Sequence, residues 1–349
     1  MKGIDKTWKE KQVFLFGLIK SKIPEQLKFI DVMEEILDIS PDAVYRRVCG
    51  KTSLNADELH VLCRQFDISM DKILNYTSVQ GALLRYSTVG SVDAGGYVRY
   101  FQRLSENLTE LSKSVADREL FVTASDIPFY HFLNYPELLF FKLFVLYNIL
   151  NNTHVSYKDF CAQQDKDSIT PLCERMADTY MHLPTKEIWN VHTISPILQS
   201  LKYCAGARVF ENKETILLLL KQLSELVNTV KKDAGTGNKG DNKAPFYLYV
   251  SPVDVGNNIM LTREGNKFNC DIPLFTVNSI FTDDESICSD IHQWINDLIS
   301  KSRLVSTRLE QERCGFFQIL QSKLDNLIVE IRSGMLSGNI PASYIHPTV

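Results

Sequence analysis

One short segment of the chain combines side chains that can hold a polyanion. Tyr45, Arg46 and Arg47 stand together, and Lys51 and Thr52 follow within a few residues. Arginine and lysine bind phosphate, arginine also pairs with guanine, and tyrosine and threonine hydroxyls reach phosphate oxygens. The pattern therefore indicates contact with nucleic acid. Taken alone, a triplet of this kind is more often a solvated helix face.

Helix-boundary residues place this segment on one short helix. Ser40 suits the N-cap, Pro41 the first helical position, and Asp42 the positive end of the helix dipole. Gly50 is a natural stop after the last turn. Ala43 then lies on the outer face with the tyrosine and the two arginines. The sequence leaves open which of the two arginines contacts a base and which contacts phosphate.

The order of elements around this helix resembles the helix-turn-helix of Cro and repressor proteins. A first helix is expected over 8–19, and a second ends over 33–37. Asp38-Ile39-Ser40 is the turn, and helices over 55–66 and 70–74 follow the short one. Asp38 departs from the glycine that is common in this turn, and Glu34 departs from the small residue common in the preceding helix.

The resemblance implies that the short helix enters the major groove of double-stranded DNA. The residues that it assigns to DNA contact are Ser40, Asp42, Ala43, Tyr45, Arg46, Arg47, Lys51 and Thr52.

Three later stretches are similar to a family of Bacteroidetes helix-turn-helix transcriptional regulators. They are ASDIPFYHFLNYPELLFFKLF at 124–144, LPTKEIWNVHTI at 183–194 and ISKSRLVSTRLEQERCGFF at 299–317. The similarity covers most of the chain. It implies a sequence-specific transcriptional regulator in a bacterial cytoplasm whose remaining region senses a small-molecule or protein effector, and it names no effector.

A homodimer is expected, because paired operator half-sites lie about one helical turn apart. The helical middle of the chain and the long helix predicted over 307–332 have long apolar faces, which are the predicted dimer contacts.

Two glycine-rich polar stretches, at 87–96 and 233–243, are typical of linkers and divide the chain into three parts. Residues 1–86 form the helix-turn-helix part, 97–232 a helical regulatory or dimerisation domain, and 244–349 an α+β regulatory domain. The predicted fold class is mainly α, with an N-terminal helix-turn-helix bundle, a helical middle region and a small C-terminal α+β region.

Apolar residues three and four apart predict the helices of the middle part, and β-rich runs predict the strands of the last part. The predicted helices lie over 97–115, 137–151, 171–181, 188–204 and 214–230. The predicted strands lie over 246–250, 258–262, 267–272 and 275–281, with helices over 284–300 and 307–332.

Composition excludes several classes of protein. Hydrophobic residues are 44% and charged residues 23% of the 349, which argues against wholesale disorder. The net charge of −4 means that nucleic-acid binding requires a local basic patch. The 8 cysteines include no CxxC pair, which argues against a zinc ribbon. The start has no signal-peptide pattern, and the most apolar run, 138–150, is too short to span a bilayer, so we expect a cytoplasmic protein without membrane contact.

Two further groups of residues are candidate binding sites. Asp126, Tyr130, His131 and Trp189 are candidates for an effector pocket, against the alternative that they pack in the core. Lys301, Ser302, Ser306 and Arg313 are candidates for an anion site at a helix start, against the alternative of solvated surface charge.

The common catalytic motifs, such as GxSxG, HExxH and a P-loop, are absent from the sequence. We therefore predict no enzyme activity, no catalytic residue, no metal and no cofactor. Two alternatives to a DNA-binding regulator stay open at this point. One is a protein-interaction module that uses the helical bundle as a docking platform, and the other is an enzyme with an undetected site.

Overall fold

The computed structural model describes residues 7–24, 27–70, 73, 84–87, 94–113, 117–151, 155–207, 209–241, 243–274 and 278–333. The chain forms two compact units, Met1–Leu83 and Leu84–Val349. They are called the N-terminal unit and the C-terminal unit below.

The N-terminal unit is helical over its described residues. Its helices are α1 Trp8–Lys22, α2 Phe29–Leu37, α3 Pro41–Val48 and α4 Ala56–Gln65. Each helix contributes apolar side chains to one core, among them Leu15, Ile19, Met33, Val44 and Leu62. Most of the helix predicted over 70–74 lies outside the described residues.

Helices of the C-terminal unit form two sets along the chain. Those in its first part are α5 Ala94–Lys113, α6 Pro136–Asn151, α7 Tyr157–Gln163, α8 Lys166–Met181, α9 Ser195–Gly206 and α10 Lys213–Thr236. Those in its second part are α11 Glu285–Lys301 and α12 Glu310–Ser333. A 3₁₀ turn, Phe129–Phe132, precedes α6.

The strands of this unit form one mixed sheet, which has eight strands over the described residues. They are β1 Arg85–Ser87, β2 Arg118–Thr123, β3 Thr185–Trp189, β4 Phe246–Val250, β5 Met260–Glu264, β6 Lys267–Leu274, β7 Asn278–Thr282 and β8 Arg303–Leu304. Their spatial order is β1-β7-β6-β5-β2-β3-β4-β8. The central strands β2, β3 and β4 are parallel, and every other pair is antiparallel.

Helices cover both faces of the sheet, because successive side chains of a strand point to opposite faces. Phe121, Ile188 and Leu261 pack with Ile295 and Leu298 of α11 on one face. The opposite face carries the larger core. There the strand residues Trp189, Phe246 and Leu248 pack with side chains of α5, α6, α8, α9, α10 and α12.

The predicted fold class, a mainly α chain with a small α+β tail, is wrong. Strands β2 and β3 come from the predicted helical middle, and they lie at the centre of the sheet beside β4 and β5. The boundary predicted between 97–232 and 244–349 therefore runs through one sheet. The helix predicted over 188–204 is the end of β3, a turn and α9.

Both central strands lack the pattern by which half-exposed strands are found. In β2 the residues from Leu120 to Thr123 are all buried, so there is no alternation of apolar and polar residues. In β3 a lysine and a glutamate interrupt the apolar run, although Glu187 is itself buried.

The stretch 233–243, predicted to be a linker, is packed into the C-terminal unit. Helix α10 continues to Thr236, and Lys239 is 1% exposed. The Nζ of Lys239 donates hydrogen bonds to the carbonyl oxygens of Tyr180 (2.7 Å) and Leu183 (2.8 Å) and to Thr185 Oγ1 (2.6 Å). Residue 242 and the middle of the other predicted linker, 88–93, lie outside the described residues.

Helix α12 buries the apolar face that the sequence offers as a dimer contact. Phe316, Leu320, Leu324 and Leu327 all belong to the larger core of the C-terminal unit. That face is therefore occupied within the chain. Within the described ranges, none of the helices combines the length and the apolar character needed to cross a membrane.

Candidate functional site

The turn between α2 and α3 is three residues long and is set by local chemistry. Asp38 has φ 51° and ψ 47°, the left-handed conformation that glycine, asparagine and aspartate adopt most readily. The Ser40 Oγ accepts a hydrogen bond from the Ala43 N–H (3.4 Å), and Pro41 occupies the first turn of α3. Asp38 therefore differs from the glycine that is common at this position, but its backbone adopts a conformation that glycine also adopts readily.

Helix α3 has one buried face and one exposed face. Val44 is fully buried in the core of the N-terminal unit, whereas Tyr45 is 54% exposed. Arg46 is exposed and pairs with Asp42 one turn earlier (3.0 Å). Lys51 lies just past the helix with its Nζ 5.7 Å from the centroid of the Tyr45 ring. The outer face therefore offers a phenol, a guanidinium and an ammonium group to solvent.

Arg47 is not part of the exposed face. Its Nε donates to Glu58 Oε2 (2.9 Å), its Nη2 lies 2.6 Å from Glu58 Oε1, and its Nη1 donates to the Ala43 carbonyl (3.3 Å). Burial alone would raise the pKa of Glu58, but hydrogen bonds from Arg47 and Asn55 and the charge of Arg47 hold that pKa below its ordinary value. Arg47 therefore ties α3 to α4. Its contact with DNA stays a prediction.

The loop after α3 is fixed from α1. Gln12 is 1% exposed, and its Nε2 donates to the carbonyl oxygens of Arg47 (2.6 Å) and Thr52 (2.9 Å) while its Oε1 accepts from the Leu54 N–H (2.9 Å). Gly50 has φ 65°, and a Cβ there would lie 2.7 Å from the Cγ of Lys9. The side chain of Lys9 therefore crosses Gly50, next to Lys51.

The residues predicted to contact DNA fall into three groups. The exposed ones are Ser40, Asp42, Tyr45, Arg46, Lys51 and Thr52. Ala43 is half-buried, and Arg47 is held by Glu58. Lys9 was missed, because 41 intervening residues separate it from Lys51 and only the fold brings the two together. The capping box of α4, in which Asn55 and Glu58 bond each other, is visible in the sequence and marks Glu58 as a structural residue.

The basic patch around α3 is local. Lys9, Arg46 and Lys51 form no ion pair with a described residue other than Asp42. The neighbouring helix α2 presents the exposed acids Asp31 and Glu35. Arg46 and the two lysines therefore attract a polyanion, whereas these acids repel it.

In the C-terminal unit, the predicted effector residues His131 and Trp189 meet on a buried carboxylate. His131 Nε2 lies 3.0 and 3.1 Å from the two oxygens of Glu187, and the Trp189 Nε1 donates to Glu187 Oε2 (2.7 Å). The Tyr180 hydroxyl donates to Glu187 Oε1 (2.6 Å). Burial would raise the pKa of Glu187, but His131, Tyr180 and the charge of Lys239 hold that pKa below its ordinary value. We call these five residues the Glu187 cluster.

The other two predicted effector residues are engaged separately. Tyr130 stacks on Tyr180, with ring centroids 4.9 Å apart, and Asp126 forms an ion pair with Lys142. Within the Glu187 cluster, Glu187 is 0% exposed and its two oxygens already accept hydrogen bonds. These contacts are those of a packed polar core.

The residues predicted to form an anion site do not converge on one point. Ser306 is buried and its Oγ accepts from the Leu248 N–H (2.7 Å). Arg313 is 9% exposed, and its Nη1 donates to the carbonyl oxygens of Val305 (2.9 Å) and Arg308 (3.3 Å). Ser302 bonds back to Leu298 within α11, and Lys301 is exposed at the end of that helix. Ser306 and Arg313 therefore fix the loop before α12.

Over the described residues, no group of three or more His, Cys, Asp or Glu side chains is placed to share a metal ion. Comparison of the chain with protein-family models, with curated proteins and with solved structures gave no match.

Proposed function

We propose that the protein is a sequence-specific regulator of transcription whose N-terminal unit binds double-stranded DNA through α3. The observation that carries the proposal is the outer face of α3, where Tyr45, Arg46 and Lys51 are exposed beyond a three-residue turn from α2. A single helix fits the major groove, and its exposed side chains reach base edges and phosphates.

The geometry favours a division of roles among the exposed residues. Arg46 is the guanidinium available for guanine or phosphate, since Arg47 is held by Glu58. Its pair with Asp42 is exposed, and such pairs contribute at most about 1 kcal/mol, so DNA can displace it. Lys51 and Lys9 flank the end of α3 and suit phosphate contacts that fix the position of the helix.

Two copies of the chain per operator are part of the same proposal, because one α3 contacts only one half-site. The long apolar face of α12 is buried in the core and does not supply the contact. Sedimentation of the purified chain at micromolar concentration measures the state, and a monomer both free and bound to DNA would contradict this part.

The test is selection of genomic fragments by the purified chain, followed by affinity measurements on an enriched duplex at two salt concentrations. Steep salt dependence is expected, because each neutralised phosphate adds about −0.9 to the slope of log K against log salt. Arg46→Glu should weaken binding about 100-fold, and Lys51→Met should reduce the salt slope by about 1. Arg64→Glu, an exposed reversal on α4, is the matched control and should leave affinity within about twofold.

The test reverses the charge of Arg46 alone, because a change at Arg47 would also break the ion pair between Arg47 and Glu58. If Arg46→Glu binds DNA as the parent chain does, α3 is not the reading helix. If no fragment is enriched and DNA retention is weak and insensitive to salt, the proposal fails, and the N-terminal unit is better described as a platform for another protein.

A further inference from the structure

Gln12 is a polar residue on the buried face of α1. It lies among the apolar residues Leu15, Phe16 and Ile19 of that face and is 1% exposed. Burying an amide costs free energy unless its donors and its acceptor are hydrogen-bonded. Because an apolar side chain would fill this face without that cost, the groups that Gln12 bonds indicate what its amide does.

The groups that the Gln12 amide bonds lie on the backbone that leaves α3. Its two N–H groups donate to the carbonyl oxygens of Arg47 (2.6 Å) and Thr52 (2.9 Å). Its oxygen accepts from the Leu54 N–H (2.9 Å). Turning the amide over would set oxygen against carbonyl oxygens, so the three bonds together allow one orientation only. Gln12 therefore holds the loop between α3 and α4, residues 49–55, from the side of α1.

This loop turns its backbone inward and its polar side chains outward. The N–H groups of Lys51 (2.8 Å) and Thr52 (3.2 Å) donate to the Arg46 carbonyl in the last turn of α3. The side chains of Lys51 and Thr52 are exposed. The place from which they reach into solvent is set by the path of the loop backbone, and Gln12 fixes that path.

We propose that Gln12 is a positioning residue for DNA binding, which holds Lys51 and Thr52 where their side chains contact phosphates of the duplex. The inference rests on the proposed function, because it requires that α3 binds DNA. Phosphate contacts set the register of a protein on the duplex, and with it the bases that the recognition helix meets. Gln12 is buried, so its effect on DNA passes through the loop.

A purely structural role for Gln12 leads to a different expectation. Loss of its three hydrogen bonds lowers the stability of the N-terminal unit under either role, so stability does not distinguish them. With a structural role alone, the chains that remain folded would make the same phosphate contacts as the parent. With a positioning role, the folded chains lose the contact of Lys51, and the salt dependence of DNA binding reports that loss.

The experiment measures the binding of Gln12→Met to the enriched duplex over a range of salt concentrations. Methionine is similar to glutamine in length but has neither the donors nor the acceptor, and circular dichroism selects a temperature at which the chain is folded. The slope of log K against log salt should become less steep by about 1, as in Lys51→Met. Gln65→Met, the same change at an exposed site on α4, is the matched control and should keep the parent slope.

Double variants test whether Gln12 acts through Lys51. Gln12→Met combined with Lys51→Met should reduce the slope no further than either change alone, because both remove the same contact. Gln12→Met combined with Arg46→Met should show the sum of the two single effects on log K, because Arg46 lies on the helix and not on the loop. If Gln12→Met does not fold, Gln12→Glu replaces it, since glutamate keeps the shape and the acceptor but loses both donors.

Three results overturn the proposal while the parent binds DNA. They are a parent slope in folded Gln12→Met, a further loss of slope in the double variant with Lys51→Met, and failure of both Gln12 variants to fold, which would assign the residue to stability alone. A parent slope in Lys51→Met would also overturn it, since the loop would then hold no phosphate contact. If the parent chain enriches no duplex, the proposed function fails first and this inference fails with it.

Discussion

Around α3 the charged side chains of Asp42, Arg46 and Lys51 are exposed, whereas in the C-terminal unit Glu187 and Lys239 are buried and surrounded by hydrogen-bond partners. The buried group contains the residue types that most resemble catalytic machinery: histidine, glutamate, tyrosine and lysine. Each of them forms a hydrogen bond with another member of the group. The difference teaches that residue type alone only nominates a side chain for a binding site. Whether that side chain can bind a ligand depends on whether its donors and acceptors are free.

The largest effect that tests this comparison is expected from Glu187→Ala. The change leaves the Tyr180 hydroxyl and the Trp189 N–H buried without an acceptor and removes the negative charge near Lys239. We expect the free energy of unfolding of the C-terminal unit to fall by about 3–5 kcal/mol. Urea unfolding measures it, with exposed Glu174→Ala on α8 as control. A loss below about 1 kcal/mol would mean that the cluster is not a structural core.

Arg47→Met probes the residue of α3 that behaves like those of the buried group. It removes both contacts with Glu58, whose side chain is only 10% exposed, so a mostly buried carboxylate loses its cation. The N-terminal unit should lose about 2 kcal/mol of stability. Thermal unfolding by circular dichroism measures this loss, and an unchanged melting temperature would show that the pair with Glu58 does not stabilise the N-terminal unit.

A smaller effect of opposite sign is expected at Asp271 on β6. Burial raises the pKa of Asp271 to about 6, against a hydrogen bond from Ser279 (3.3 Å), and its charge adds to burial in raising the pKa of Tyr100 and Tyr130. The folded state therefore binds more protons than the unfolded state between about pH 4 and pH 6. The contribution of Asp271 to the stability of the C-terminal unit is therefore complete below about pH 4 and is lost as the pH rises through about 6.

Asp271→Asn should remove this pH dependence and stabilise the C-terminal unit by about 1–2 kcal/mol at pH 8. Urea unfolding at pH 5 and pH 8 measures both chains. Glu187, whose pKa is lowered, should act in the opposite direction and lose its contribution only as the pH falls below about 4.5. A parent chain equally stable at pH 5 and pH 8 would argue against a raised Asp271 pKa.

The smallest effect on stability is expected from Arg46→Met. Its ion pair with Asp42 is exposed, and such pairs contribute at most about 1 kcal/mol. Because pairs four residues apart on a helix contribute about 0.3–0.5 kcal/mol, the melting temperature of the N-terminal unit should stay within about 4 °C of the parent value. Together with Arg47→Met, this variant separates two adjacent arginines into one available for binding and one that holds the fold. A large destabilisation by Arg46→Met would mean that Arg46, like Arg47, stabilises the fold.

Local signals predicted the elements of the N-terminal unit. Ser40 and Pro41 start α3 and Gly50 follows its end, because caps and backbone conformation depend on residues a few positions apart. The roles of Arg46 and Arg47 could not be separated from the sequence. The partner of Arg47 is Glu58, 11 residues later, and only the packing of α3 against α4 brings them together.

The C-terminal unit was predicted poorly where its contacts are distant in sequence. Lys239 lies in a glycine-rich polar stretch typical of a loop, yet its partners Tyr180 and Thr185 are 59 and 54 residues away. Strands β2 and β3 also have partners that are distant in sequence, because their neighbours β5 and β4 come from the last part of the chain. Propensity and periodicity cannot report such pairings, because they read only a window of the sequence.

The position of β2 in the sheet has a consequence for the order in which the chain is made. The strand that completes one side of β2 is β5, and about 140 residues separate Thr123 from Met260. At about 5–20 residues per second, a ribosome needs roughly 7–28 s to supply them. During that time the nascent chain carries a bare, apolar strand edge, whereas α1 to α4 are already complete and can fold. We therefore expect the yield of native protein to depend on the speed of translation over this interval.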